Sequence, residues 1–178
     1  MLDFSQNYFE LFGLPTDFRL DLDELALRYR DLQKVVHPDR YANSSEQEKR
    51  MAMQSATLVN EGFATLKDPL SRAQYILGLK GRKADVESLT TSDSSFLMEQ
   101  IELRETLSEI RDAQDPAESI GELLDTIGKA IKVQIAQLAI LLESSMEKDL
   151  DEALECIYKM QFLNKLHAEA EAIEAELE

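Results

Sequence analysis

A single cysteine, Cys156, rules out an internal disulfide, and one thiol with two histidines cannot fill a zinc site unaided. Free cysteine is among the most buried residue types, so Cys156 reads as an inert core thiol. Glycine (6) and proline (4) are scarce in 178 residues, whereas alanine, leucine, glutamate and glutamine are plentiful. That balance favours a nearly all-helical protein. Basic residues are also in deficit, nineteen against thirty-five acidic, for a formal net charge of −16. Such a chain repels polyanions, which argues against nucleic acid and anionic membrane surfaces as partners. No apolar run approaches the roughly 18 residues that span a bilayer. Met1-Leu2-Asp3-Phe4-Ser5 lacks the basic start and long apolar run of a signal peptide. The chain is expected to be soluble and cytoplasmic, with no cofactor and no metal.

What is present suffices for real cores: 44% of residues are hydrophobic, in a length that fits one large domain or two small ones. A short helix is expected over Gln6–Phe12, ending at Gly13. Asp21 can cap a second helix, with Glu24 completing a capping-box pattern and Leu25, Tyr29, Leu32 and Val36 forming its inward stripe. Ser44 or Ser45 caps a third helix, and Asp68-Pro69 reads as cap and first residue of a fourth. Residues 81–92 are polar and are taken as a linker between a domain at 1–80 and a second at 93–178. Beyond it, helices are expected from Asp93 to Asp112, from Asp115 to about Glu143, and from Asp149 almost to the terminus. Three helices with short connections should pack as an antiparallel bundle. Charge divides unevenly: residues 1–75 hold 9 basic and 12 acidic residues, net −3, and the remainder 10 and 23, net −13.

His37-Pro38-Asp39 is the most informative tripeptide. Pro38 lacks a backbone N–H and disfavours helical geometry at His37, so the second helix should stop there. An imidazole and a carboxylate are then displayed at a helix end, beside a loop running Arg40-Tyr41-Ala42-Asn43. At about 100° per residue, Arg30 and Lys34 fall opposite the inward stripe and Arg28 lies at its margin. These cations could dock onto an acidic surface, with Asp39 accepting a bidentate bond from a partner arginine. The plainer alternative is a solvated charged face with Asp39 serving only the loop.

The stretch Tyr8-Phe9-Glu10-Leu11-Phe12-Gly13-Leu14, the His37-Pro38-Asp39-Arg40 loop, Asn60-Glu61-Gly62-Phe63-Ala64-Thr65-Leu66 and Asp68-Pro69-Leu70-Ser71-Arg72-Ala73-Gln74-Tyr75 follow one another at suitable distances. Together they resemble the J-domain of DnaJ-type co-chaperones. The resemblance implies docking to an ATP-hydrolysing DnaK-type chaperone and acceleration of its hydrolysis. By it, His37, Pro38 and Asp39 are the indispensable loop, and Arg28, Arg30 and Lys34 dock electrostatically. Asp31 departs from the pattern, standing where many J-domains carry a base, which points to a dedicated chaperone.

From Asp93 to Asp112, Phe96, Leu103, Leu107 and Ile110 fall within about 60° of one another, a sufficient core stripe. Leu97, Met98 and Ile101 lie roughly 100–200° away, with Glu105 among them and Glu102 at the edge. Either both faces pack within the bundle or these residues form an exposed patch for a partner. Phe96-Leu97-Met98-Glu99-Gln100-Ile101-Glu102-Leu103-Arg104-Glu105 and Met160-Gln161-Phe162-Leu163-Asn164-Lys165-Leu166 resemble the client-binding domain of the HscB family, specialised J-proteins of iron–sulfur cluster assembly. The resemblance implies that Leu97, Met98, Ile101, Glu102, Glu105 and Phe162 grip the cluster scaffold IscU, and that the chaperone is HscA. With no cysteine-bearing zinc segment ahead of the J-domain-like part, the likeness is to the bacterial form.

Two rivals are weaker. An enzyme would need a nucleophile, phosphate loop or metal set near His37 or His167, and the sequence offers none. A general J-protein would usually carry a Gly-rich linker or zinc-binding cysteines.

Overall fold

Local chemistry sets where each helix begins. The Asn7 side chain accepts the Glu10 N–H while the Asn7 N–H donates to the Glu10 carboxylate, opening α1 (Tyr8–Phe12). Gly13, at φ 64°, closes it in the left-handed conformation that glycine adopts at least cost. The Asp21 carboxylate accepts the N–H groups of Asp23 and Glu24 to start α2 (Leu22–Val36). Glu24, expected to complete a reciprocal box, instead turns its carboxylate to Arg28 one turn on, at 3.2 Å. Ser45 and Glu48 form a full capping box at the head of α3 (Glu46–Lys67). The Asp68 side chain accepts from Ser71 N–H at the start of α4 (Pro69–Leu79).

The computed structural model describes residues 3–41, 44–82 and 93–177, in two compact units, Met1–Leu79 and Lys80–Glu178. Within the first, α2 and α3 form an antiparallel pair. Tyr29 stacks on Phe63 at 4.0 Å between ring centroids and donates from its hydroxyl to Asn60, while Val36 lies near Ala52 at the other end. Leu25, Val36, Ala52, Val59 and Leu66 are buried; Tyr29 and Leu32 are half-covered. The buried Arg72 guanidinium donates to the Leu66 carbonyl at 2.7 Å and lies 4.9 Å from the Phe18 ring, so it closes the end of α3. Burial lowers its pKa from the usual arginine value.

α1 crosses α3 at Gly62. A Cβ there would sit 3.0 Å from Tyr8 Cδ1 and 3.1 Å from Phe12 Cε2. The Tyr8 ring is itself fixed, stacked on Tyr75 at 4.6 Å, and its N–H donates to the Tyr75 hydroxyl. Gly62→Val should therefore destabilise this unit by roughly 1–3 kcal/mol through overpacking. NMR-monitored thermal unfolding of the α1 and α3 signals checks this; an unchanged midpoint would mean that the rings step aside freely.

In the second unit, Asp93 caps α5 (Ser94–Glu109), which continues through a 3₁₀ turn, Ile110–Asp112. Asp115 accepts the Glu118 N–H ahead of Pro116, the first residue of α6 (Pro116–Leu141). The last helix, α7 (Glu147–Leu177), begins two residues before the expected Asp149. Met146 supplies the first helical carbonyl, to Leu150 N–H, and is held by its own N–H to Ser144 Oγ. Asp149 thus sits inside the first turn, where a carboxylate suits the helix dipole without capping it. α5 packs on both α6 and α7 around Leu103, Leu107, Ile110, Ile127, Leu163 and Leu166. Cys156 is buried as expected, its thiol pushed up to about 11 chiefly by burial. Of the expected linker at 81–92, residues 83–92 lie outside the described residues. Arg82 is described and ion-pairs with Glu147 and Asp151. No strand occurs among the described residues, and no helix of theirs is long and apolar enough to cross a membrane.

Candidate functional site

The end of α2 is built by the loop that follows it. His37 takes φ −58° and ψ 126°, the extended geometry that a following proline favours. Residues 38–41 then make a 3₁₀ turn, Pro38–Tyr41, which takes in the first two residues of the expected Arg40–Asn43 loop; Ala42 and Asn43 lie outside the described residues. Proline's fixed φ forbids continuing α2 but suits the first corner of a tight turn. Arg40 reaches back to donate to the Lys34 carbonyl at 3.0 Å, and the Tyr41 hydroxyl approaches the Val35 carbonyl at 3.4 Å. Carbonyls that every helix leaves orphaned at its end are satisfied here by the next turn.

His37 and Asp39 are presented together, with 53% and 90% of their side chains exposed. The Asp39 N–H donates to His37 Nδ1 at 3.3 Å, and the same nitrogen lies 3.6 Å from Asp39 Oδ2. Nδ1 thus faces the backbone and carboxylate of Asp39, and no hydrogen bond to Nε2 occurs among the described residues. The structure therefore offers an exposed imidazole and an exposed carboxylate on one turn.

Arg28, Arg30 and Lys34 are all exposed on α2. Arg28 pairs with Glu24, and Lys34 pairs with Asp31 at 2.9 Å; among the described residues Arg30 has no ion pair. Exposed pairs of this kind hold weakly, by about 0–1 kcal/mol, and give way to a better partner. The Asp31 departure thus acts first on its neighbour, by screening Lys34.

The second cluster is on α5. Phe96, Leu103, Leu107 and Ile110 are buried, whereas Leu97 (41% exposed), Met98 (58%) and Ile101 (52%) face outward. Of the two arrangements open to the sequence, the exposed patch is the one realised. Glu102 and Glu105 are exposed beside it. Phe162, on α7, is half-buried: Phe96 meets its ring edge-on at 5.9 Å and the Arg104 guanidinium lies 5.5 Å from its centroid. Phe162 therefore flanks the patch and supports α5 as much as it offers surface. Sequence periodicity missed Arg104, which also pairs with Glu169, and Lys159. Lys159 Nζ lies 2.7 Å from Asp93 Oδ2 and 5.3 Å from the Phe96 ring. Hydrogen bonds from Lys159, then from Ser95 and the Phe96 N–H, hold the Asp93 carboxyl well below the usual carboxylate range. Their contribution is complete above the ordinary carboxylate pKa and is lost only in strong acid.

A protein from Shewanella loihica described as a co-chaperone protein HscB homolog is 47% identical over 168 residues, 94% of this chain and 97% of that one. The chain belongs to the HscB co-chaperone family. Residues 92–171 match the family described as the HSCB C-terminal oligomerisation domain. Among solved structures, the chaperone HscB from Vibrio cholerae has 39% identity and a TM-score of 0.81, covering 97% of this chain and all of its own. Human co-chaperone protein HscB has 30% identity and a TM-score of 0.88, over 97% of this chain and 84% of its own. The two units accordingly have the HscB fold: a J-domain built on the α2–α3 pair, and a C-terminal three-helix domain.

Proposed function

We propose that this chain stimulates ATP hydrolysis by a dedicated DnaK-type chaperone, HscA, and delivers to it the iron–sulfur scaffold IscU, in the cytoplasm. The J-domain, residues 1–80, meets the chaperone through Arg28, Arg30, Lys34 and the His37-Pro38-Asp39 turn. The domain at 93–178 holds the scaffold on Leu97, Met98, Ile101, Glu102 and Glu105, with Phe162 at the flank. Residues 81–92 connect them. The observation that carries this reading is the outward His37–Asp39 turn in a member of a co-chaperone family.

The chain performs no chemistry of its own in this scheme. Holding client and chaperone sites on one molecule raises the effective concentration of one at the other. Hydrolysis occurs on the partner, and the chain alone should release no phosphate from ATP.

Steady-state ATP hydrolysis by purified HscA, with the chain added and with or without IscU, tests the whole. The expected result is stimulation that rises further with IscU. Stimulation of DnaK but not HscA would favour a general J-protein, and no effect on either would overturn the docking role of the turn.

A further inference from the structure

The part of α5 that displays Leu97, Met98 and Ile101 meets α7 chiefly through Phe96, whose ring also packs edge-on against Tyr158 and Phe162. Between buried Phe96 and buried Leu103, the inward position is Gln100, which is half-buried with its Nε2 unpartnered among the described residues. Phe96 is thus the near anchor, and beside its aromatic neighbours one ammonium ties it to the cap of the helix. Lys159 Nζ donates to Asp93 Oδ2 and stands against the Phe96 ring, while Asp93 Oδ1 accepts the N–H groups of Ser95 and Phe96. One side chain of α7 thereby joins the cap of α5 to its first buried residue. Lys159 also lines a groove with Gln137, Ile140, Glu152, Glu155 and Cys156.

We propose that Lys159 is a positioning residue for the scaffold-binding face: it clasps the first turns of α5 to α7 and so sets where Leu97, Met98 and Ile101 project. The inference rests on the role proposed above for that face. Lys159→Met removes the clasp. Asp93→Asn removes its ionic half yet keeps a good cap, because asparagine and aspartate cap helices about equally well. Lys159→Arg restores a cation.

Titration calorimetry of IscU with the full chain should give about tenfold weaker binding for Lys159→Met and Asp93→Asn, and binding within about threefold of the parent for Lys159→Arg. HscA stimulation without IscU should be unchanged in all three. In a double-mutant cycle with Met98→Ala, the losses should fall short of additive, since both act through one face. Amide exchange at Leu97–Ile101 should quicken about tenfold in Lys159→Met, with α6 and α7 amides unaffected. Fully additive losses would mean that Lys159 touches the scaffold itself, and would overturn the proposal. So would an arginine variant as weak as the methionine one, or unchanged exchange at Leu97–Ile101. Absence of IscU binding by the parent chain would strike the proposed function instead, and the exchange result would still decide the clasp.

Discussion

His37→Gln should lose the stimulation of HscA while still binding IscU with parental affinity. The imidazole receives the Asp39 N–H on Nδ1 and leaves a half-exposed ring beside the Asp39 carboxylate, and a flexible amide does not hold that geometry. Nothing in the core depends on the side chain, which is 53% exposed at the helix end, so helicity and unfolding should be unaltered. The expected fall is of the size of a site-to-site coupling, about 5–150-fold. A glutamine variant that stimulates like the parent would remove the turn from the mechanism. Loss of both stimulation and IscU binding would instead report misfolding.

The opposite pattern is expected when Leu97, Met98 and Ile101 are all replaced by alanine. These side chains are exposed, so stability should change by no more than about 0.5 kcal/mol per site. Their burial against a partner is another matter: central apolar anchors of an interface cost about 2 kcal/mol or more each when truncated. Binding of IscU, measured by titration calorimetry, should weaken by at least about a hundredfold, with stimulation of HscA alone retained. Parental affinity in the triple variant would place the scaffold elsewhere. Phe162→Ala is the less clean probe. Its ring packs on Phe96 and under Arg104, so truncation should lower the unfolding midpoint of the C-terminal domain as well as the affinity.

The helix starts at Asp21 and Asp115, and a third at Ser44 or Ser45, were legible because capping is local: donor and acceptor lie within three residues. The two faces of α5 were legible for a similar reason, since 100° steps alone separate Phe96 and Leu103 from Leu97 and Met98. Whether the second face was exposed was not, because that depends on how far the facing helices reach. Asp93 was readable as the start of a helix but not as a partner of Lys159, sixty-six residues on. No periodicity encodes such a distance. Arg40 and Tyr41 were missed differently. The proline showed where α2 stops, but the return of these two side chains onto Lys34 and Val35 requires the curvature of the 3₁₀ turn, which only coordinates display.

That return has a consequence for association rates. Fixing a free backbone residue costs about 1–2 kcal/mol in conformational entropy. With Arg40 and Tyr41 tied to the final turn of α2, the segment from His37 to Tyr41 has already paid that cost in the unbound chain. On the proposed docking, encounter with the chaperone requires orientation of a tip already shaped by these two bonds rather than ordering of a loop, and favours quick, reversible visits over slow folding onto the partner.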